Sequence, residues 1–209
     1  KYVGNEVEIM PVVKANAYGH GVIEICNVLS KCNIKGFCVA LLSEVIYMRN
    51  NNIKSEILHL GSLEYKFDSI LLDKKLILTI NSNDDILFLN KIGKIHNHQF
   101  NVHIKVDTGM TRLGVLSDDI DIIKDSLSKS KFVVAKGIYS QLSSADEDDQ
   151  SYTDVQRSKF VEISDSFCSA FDTIKFKHLT PSAGLLKNKK NHFNMVRPGL
   201  SIYGINNVS

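Results

Sequence analysis

Short apolar segments with the length and composition of β-strands recur along the whole chain. They fall at residues 9–14, 36–41, 56–60, 75–80, 100–106, 132–139, 175–179 and 193–197. Between these segments, apolar residues recur three and four positions apart, as Val22, Cys26 and Leu29 do, and again within 120–127 and 160–167. The pattern predicts strands that alternate with helices.

Some of the predicted strands are apolar on both faces, as residues 75–80 (KLILTI) show. Such strands are typical of parallel sheets that helices cover. Eight units favour an α/β fold of the (β/α)8 TIM-barrel type over a doubly wound sheet, and they place chemistry in the loops after the strands. About ten residues follow the eighth strand. We therefore expect a barrel that is truncated at both ends and exposes apolar surface between its eighth and first strands.

Charge and composition exclude some classes of function. Lys and Arg number 25 against 23 Asp and Glu, which is too balanced for a nucleic-acid partner, and no apolar run approaches the roughly 18 residues of a membrane span. Four cysteines without a CxxC pair indicate free thiols and a cytoplasmic location. His96 and His98 have no further ligand at a suitable spacing, so no metal site is predicted.

The first strand leads a lysine into a glycine-containing loop, in the segment MPVVKANAYGHG at residues 10–21. Lys14 follows an apolar run, and burial of this kind lowers the pKa of an amine toward the neutral form that makes a Schiff base. A surface lysine at a strand end is the alternative. The segment VVKANAYGHG resembles the cofactor-lysine motif of the alanine racemases, which are fold-type III pyridoxal 5'-phosphate (PLP) enzymes. This resemblance implies that Lys14 forms the Schiff base with PLP and that Tyr18 reaches the cofactor phosphate.

The segment VHIKVDTGMTRLG, at residues 102–114, is similar to a second motif of the same family. The resemblance implies that Arg112 contacts the phenolic oxygen of the cofactor and the substrate carboxylate, which suits a planar guanidinium. Lys105 matches a position where many members carry a carbamylated lysine that orients the arginine. A simple pair between Lys105 and Asp107, which share one strand face, remains the alternative.

The segment MVRPGLSIYG, at residues 195–204, resembles the MVRPG segment of the family. Arg197 is implied to donate to the pyridine nitrogen of PLP. Because arginine keeps its proton, the ring becomes a weaker electron sink, which suits a racemase. Ser182 and the backbone amides of Gly199 and Leu200 are implied to form the phosphate cup, although a loop or helix-cap serine is the alternative for Ser182.

Two positions depart from the family pattern. Gln141 stands where the family usually has histidine; its side chain can accept a hydrogen bond from Arg197 but has no aromatic face. Pro181 stands where the family has asparagine and offers no side-chain amide and no backbone donor.

The resemblance implies PLP-dependent racemisation of alanine, used to make D-alanine for peptidoglycan precursors. Residues 1–209 would form the PLP-binding barrel domain, with the family's C-terminal β domain outside the chain. Lys14 would take the α proton of the D-isomer, and a tyrosine from the partner subunit of a homodimer would act on the opposite face. We therefore expect residues 1–209 alone to racemise no alanine and to be less stable than a longer chain.

Two other functions remain open. One is a different type III PLP enzyme, either a broader amino-acid racemase or a decarboxylase; Arg197 argues against decarboxylases, whose ring nitrogen usually pairs with an acidic residue. The other is a degenerate barrel that binds PLP or nothing and catalyses no reaction, which Gln141 and Pro181 motivate.

Overall fold

The structure is a computed structural model in which residues 2–205 are described. The strands are β1 (Glu8–Ile9), β2 (Gly36–Val39), β3 (Glu56–His59), β4 (Leu76–Ile80), β5 (Phe100–Lys105), β6 (Val133–Tyr139), β7 (Phe176–His178) and β8 (Met195–Val196). The helices are α1 (Lys14–Tyr18), α2 (Val22–Ser30), α3 (Leu42–Asn50), α4 (Asn83–His96), α5 (Ile120–Lys129), α6 (Ser151–Ala170) and α7 (Ser182–Lys187). A 3-10 segment, Ser69–Leu72, replaces an α-helix between β3 and β4.

All eight strands run parallel and close into a ring. Strands β2 to β7 form one six-stranded sheet in chain order, and β1 pairs with β8. An isolated bridge between Val12 and Cys38 joins the first strand to the second. The amide of Arg197 donates to the carbonyl of Thr180 at 3.3 Å, which joins the eighth strand to the end of the seventh. The predicted (β/α)8 barrel is confirmed.

Alternation along the strands gives the barrel interior a polar end and an apolar end. Inward-facing residues near the amino-terminal ends of the strands form one apolar cluster: Met10, Val12, Cys38, Leu58, Ile77 and Met195. Buried polar side chains lie further along the same strand faces: Arg197 is two residues after Met195, His178 is two residues after Phe176, which packs against this cluster, and Lys105 ends β5. The core therefore supports a polar site at the carboxyl ends of the strands.

Two expectations need correction. The first strand was predicted to extend over 9–14, but β1 ends at Ile9 and a helical turn begins at Lys14. The expected exposure of apolar strand surface between the eighth and first strands is also wrong within residues 2–205, because Val13 and Val196 beside this seam are fully buried. The exposed Tyr2 and Ile205 lie before β1 and after β8, outside the strands themselves. The predicted domain of residues 1–209 includes Lys1 and residues 206–209, which lie outside the described residues. Among the residues described, no helix combines the length and the apolar character needed to cross a membrane.

Candidate active site

A cavity of about 490 Å³ opens at the carboxyl ends of the strands, a volume suited to a small-molecule ligand. Every residue that the sequence predicts for the site lines this cavity: Lys14, Tyr18, Lys105, Arg112, Gln141, Ser182, Arg197, Gly199 and Leu200. These residues come from both ends of the chain and from its middle. The barrel brings them together because the carboxyl ends of all its strands meet at one rim.

Lys14 enters the cavity at the start of an unusual turn. The four residues that follow it, 15 to 18, have φ between 52° and 55° although none of them is glycine. L-residues adopt this left-handed conformation rarely, and a run of four is rarer still. The backbone thus becomes left-handed directly after Lys14. Tyr18, at the end of this turn, lines the same cavity.

A cup of hydrogen-bond donors lies beside Tyr18. The hydroxyl of Ser182, the first residue of α7, accepts from the amides of Gly199 at 2.9 Å and Ser201 at 3.2 Å. A side chain at position 199 would place its Cβ only 2.6 Å from the Tyr18 hydroxyl, so this position needs glycine. Ser201 was not predicted from the sequence, although it lies two residues beyond Gly199 in the same motif. Convergent amides and hydroxyls of this kind form an anion-binding concavity.

Arg197 lies at the bottom of the cavity and is held by three acceptors. Its Nε donates to His178 Nδ1 at 2.7 Å, and its terminal nitrogens donate to the Ser140 carbonyl at 2.7 Å and to Gln141 Oε1 at 3.2 Å. The guanidinium carbon lies 4.9 Å from the centre of the Tyr139 ring, and the residue is only 4% exposed. The hydrogen bond that Gln141 was expected to accept is present.

Two buried histidines extend this network. Because Arg197 Nε must donate, His178 Nδ1 is the acceptor, and the remaining proton of neutral His178 lies on Nε2, 2.8 Å from His103 Nδ1. Burial, and then the charge of Arg197, lower the pKa of His103 to about 3 and hold that of His178 well below its ordinary value. A Cβ at Gly137 would lie 2.7 Å from the His103 ring, so this glycine leaves room for the imidazole.

The sequence interpretation missed the contribution of these histidines. Neither His178 nor His103 is among the residues that the sequence motifs predict for the site. Strand alternation carried the signal, since His103 lies two positions before Lys105 and therefore on the same inward face.

The wall formed by β5 carries Lys105 and the loop with Arg112. Lys105 is 5% exposed, and burial, followed by the charges of Arg112 and Arg197, lowers its pKa to about 8. The Asp107 carboxylate accepts from the amides of Gly109 at 2.8 Å and Thr111 at 3.1 Å. Asp107 therefore shapes the loop, and no ion pair between Lys105 and Asp107 occurs within residues 2–205.

Comparison with known proteins agrees with this arrangement. The profile of the family "Alanine racemase, N-terminal domain" matches residues 1–207. The alanine racemase of Halothermothrix orenii is 36% identical over 204 residues, which cover 97% of this chain and 54% of that protein. The solved alanine racemase of Clostridium difficile 630 superposes with a TM-score of 0.92 at 30% identity, over 98% of this chain and 57% of that one.

A further solved structure is similar to this chain. The alanine racemase of Bartonella henselae, described as having covalently bound pyridoxal phosphate, has a TM-score of 0.85 at 25% identity over 99% of this chain and 58% of that one. A barrel with this cavity and these motifs defines a class, and the chain belongs to the alanine racemase N-terminal domain family. It spans about half the length of the curated relatives it matches.

Proposed function

We propose that this barrel binds PLP and forms the cofactor-binding part of an enzyme that interconverts L- and D-alanine. One observation carries the proposal. A single cavity is lined by a lysine, two arginines and a cup of small residues. The segments that contribute them lie up to 186 positions apart. The names of the relatives supply the reaction, and the cavity supplies groups that suit it.

The residues present fit PLP. The amides of Gly199 and Ser201 donate to the Ser182 hydroxyl here, and with the Ser182 and Tyr18 hydroxyls they would turn to a bound phosphate. The absence of a side chain at Gly199 leaves room for the Tyr18 hydroxyl beside them. Arg197, held from below by three acceptors, presents its remaining donor capacity to a pyridine nitrogen. When bound, PLP attaches the amino acid through its amino group and withdraws electrons from the α carbon.

The chain's own residues then supply binding and proton transfer. Lys14 would hold the cofactor, and its amine would accept or return the α proton on one face of the substrate. Arg112 binds the substrate carboxylate through the paired donors of its planar guanidinium. Arg197 cannot give a proton to the ring nitrogen, which limits electron withdrawal and therefore side reactions.

Lys105 is assigned the role of orienting Arg112 as a carbamate. The reaction is addition of the neutral amine to CO₂ with release of one proton, and a pKa of about 8 makes the neutral amine abundant near that pH. The carbamate would convert a cation that repels Arg112 into an anion that attracts it. An ion pair between this carbamate and the Arg112 guanidinium would then hold the guanidinium in place.

The remaining parts of the proposal concern the whole protein. The substrate is alanine and the product supplies D-alanine for peptidoglycan precursors. The enzyme acts as a homodimer in the cytoplasm, where a tyrosine of the partner subunit serves the opposite face of the substrate. The relatives named alanine racemase support the substrate, and the four free cysteines support a reducing compartment. The homodimer, the partner tyrosine and the use of D-alanine follow from the resemblance to the family.

Chemical trapping tests the proposal. Borohydride reduction of the protein with PLP, followed by peptide mapping, should place a pyridoxyl group on Lys14, and the Lys14→Arg variant should lose it. Labelling only of other lysines would refute the assignment. Activity of the complete protein toward a panel of L- and D-amino acids separates the alternatives: CO₂ release would indicate a decarboxylase, and trapping without turnover would indicate a degenerate barrel.

A further inference from the structure

The left-handed turn after Lys14 is energetically costly. Each non-glycine residue in this conformation costs roughly 1–2 kcal/mol, and the turn has four of them, from Ala15 to Tyr18. Conformations of this kind persist only where surrounding contacts determine them. Some contacts are internal to the segment, such as the Val22 amide donating to Asn16 Oδ1 at 2.9 Å. The first residue of the turn, however, is held from another element.

That element is α3. The amide of Ala15 donates to Glu44 Oε1 at 2.5 Å, across 29 positions of sequence. The other carboxylate oxygen of Glu44, Oε2, accepts from the amides of Ala40 at 2.8 Å and Leu41 at 3.0 Å, which lie at the start of α3. One carboxylate therefore joins the turn that carries Lys14 to the amino-terminal end of a barrel helix.

Packing holds Ala17, which is fully buried, but not Ala15 and Asn16, which are exposed. A second cavity of about 290 Å³ lies beside the turn, lined by Val13, Asn16, Val22, Ser43, Glu44 and Tyr47. Open space on this side leaves few atoms to resist movement of the turn. The hydrogen bond from Ala15 to Glu44 crosses between the turn and α3 here.

A second helix of the barrel shows the same cap without the link to the turn. Asp85 is the third residue of α4, as Glu44 is of α3. One Asp85 oxygen, Oδ2, accepts from the amides of Asn81 at 2.7 Å and Ser82 at 3.0 Å. An aspartate at this position thus suffices to cap a helix that follows a strand of this barrel. Glutamate is longer than aspartate by one methylene, and Glu44 makes a further hydrogen bond, to the amide of Ala15.

We propose that Glu44 is a positioning residue for Lys14, because its carboxylate anchors the left-handed turn that directs the lysine into the cavity. The inference rests on the proposed function for the role of Lys14, but the anchoring itself does not depend on the cofactor. Glu44 does not itself line the cavity; it caps α3 through Ala40 and Leu41, and it reaches the turn that carries Lys14 through Ala15. The cap and the anchor are separable, since they use different oxygens of the same side chain.

The test uses Glu44→Asp, which should keep the cap, as Asp85 does, and lose the reach to Ala15. Amide hydrogen exchange at Ala15 in the complete protein without cofactor should become at least tenfold faster in this variant. The denaturation midpoint should stay close to that of the wild type. The matched control is Asp85→Asn, which weakens the cap of α4 and should lower the midpoint while leaving exchange at Ala15 unchanged.

The cofactor provides a second readout that a merely structural role would not move. The PLP concentration that gives half-maximal borohydride trapping on Lys14 should rise at least fivefold in Glu44→Asp and stay unchanged in Asp85→Asn. Unchanged exchange at Ala15 in a folded Glu44→Asp protein would overturn the proposal. Faster exchange with unchanged trapping would also overturn it, because the turn would then be anchored without positioning Lys14. If the wild-type protein showed no trapping at Lys14, the proposed function would fail, whereas faster exchange in Glu44→Asp would still support the anchor.

Discussion

The two arginines of the cavity are held in opposite ways. Arg197 is buried and donates to three acceptors, and the first of these, His178, is itself held by His103. Arg112 is exposed on a loop, and within residues 2–205 no hydrogen bond or ion pair engages its side chain. Asp107 shapes the backbone of this loop, whereas the guanidinium of Arg112 lines the cavity from an exposed position.

This difference matches the tasks proposed for the two residues. A group that tunes the electronics of a ring must be fixed before the ring arrives, and preorganised donors cost nothing to orient at the moment of reaction. A group that binds an entering carboxylate near the mouth of the cavity must let the substrate pass. The site therefore has a buried arginine whose acceptors are already in place and an exposed arginine that a carboxylate or a Lys105 carbamate can engage.

The largest expected effect separates the two arginines by stability. Arg197→Ala would leave His178 Nδ1, Gln141 Oε1 and the Ser140 carbonyl without their donor. Since each unsatisfied buried group costs about 1–3 kcal/mol, we expect a loss of at least about 3 kcal/mol in the free energy of unfolding. Arg112→Ala should change it by less than about 0.5 kcal/mol. Urea denaturation of both variants measures the difference, and equal losses would contradict the comparison.

The second prediction concerns the loss of stability at low pH that His103 and His178, the histidines behind Arg197, should cause. In the folded state the pKa of His103 is about 3 and that of His178 is lowered in the same direction, whereas both are near 6.5 in the unfolded chain. The unfolded state therefore binds more protons below pH 6.5, and stability falls as the pH falls. His103 alone should cost about 1.5 kcal/mol between pH 6.5 and 5.

The variant His103→Gln tests this prediction, because its carbonyl can still accept from His178. Its free energy of unfolding should fall less steeply with acid than that of the wild type, as urea titrations at a series of pH values would measure. Identical slopes would show that His103 is not held neutral.

The third prediction concerns Lys105, the neighbour of Arg112, and the dependence of stability on pH above 8. Burial lowers the pKa of Lys105 to about 8, below the value near 10.4 of an unfolded lysine. Between these values the unfolded state binds more protons, so stability should rise with pH, by about 1.5 kcal/mol from pH 8 to 9.5. Lys105→Met should lose this rise in CO₂-free buffer, and exposed Lys74→Met should keep it. A rise that persists in Lys105→Met would exclude Lys105 as its source.

Much of the site was predictable because its motifs are contiguous. Lys14, Arg112 and Arg197 each lie in a motif that also fixes the neighbouring backbone, and alternating apolar segments predicted the barrel that unites them. Strand ends were predicted less well, since β1 pairs over only Glu8–Ile9 and the chain then turns. Apolar residues show which segments are buried, but the position at which a strand ends depends on where backbone hydrogen bonding to the next strand stops.

The contacts that support these residues were not predictable from the sequence. The segment Ala-Asn-Ala-Tyr has no intrinsic preference for a left-handed turn, and the bond that anchors it comes from Glu44, 29 positions away. His103 and His178 meet across 75 positions. Hydrogen bonds between distant polar residues leave no periodic trace in a sequence, so only the folded arrangement shows them.

The smallest expected effect concerns Gln141, which makes the longest of the three hydrogen bonds that Arg197 donates. Its side chain accepts from Arg197 at 3.2 Å, and its backbone carbonyl accepts from Gln156 Nε2 at 3.1 Å. Because His178 and Ser140 hold the arginine at 2.7 Å each, Gln141→His should alter its orientation little. The racemisation rate of the complete enzyme should change by no more than about tenfold, or ~1.4 kcal/mol in barrier. Gln99→His, on the exposed surface before β5, provides the control and should leave the rate unchanged. A gain of several orders of magnitude in Gln141→His would show that Gln141 leaves Arg197 misplaced and that the natural site is degenerate.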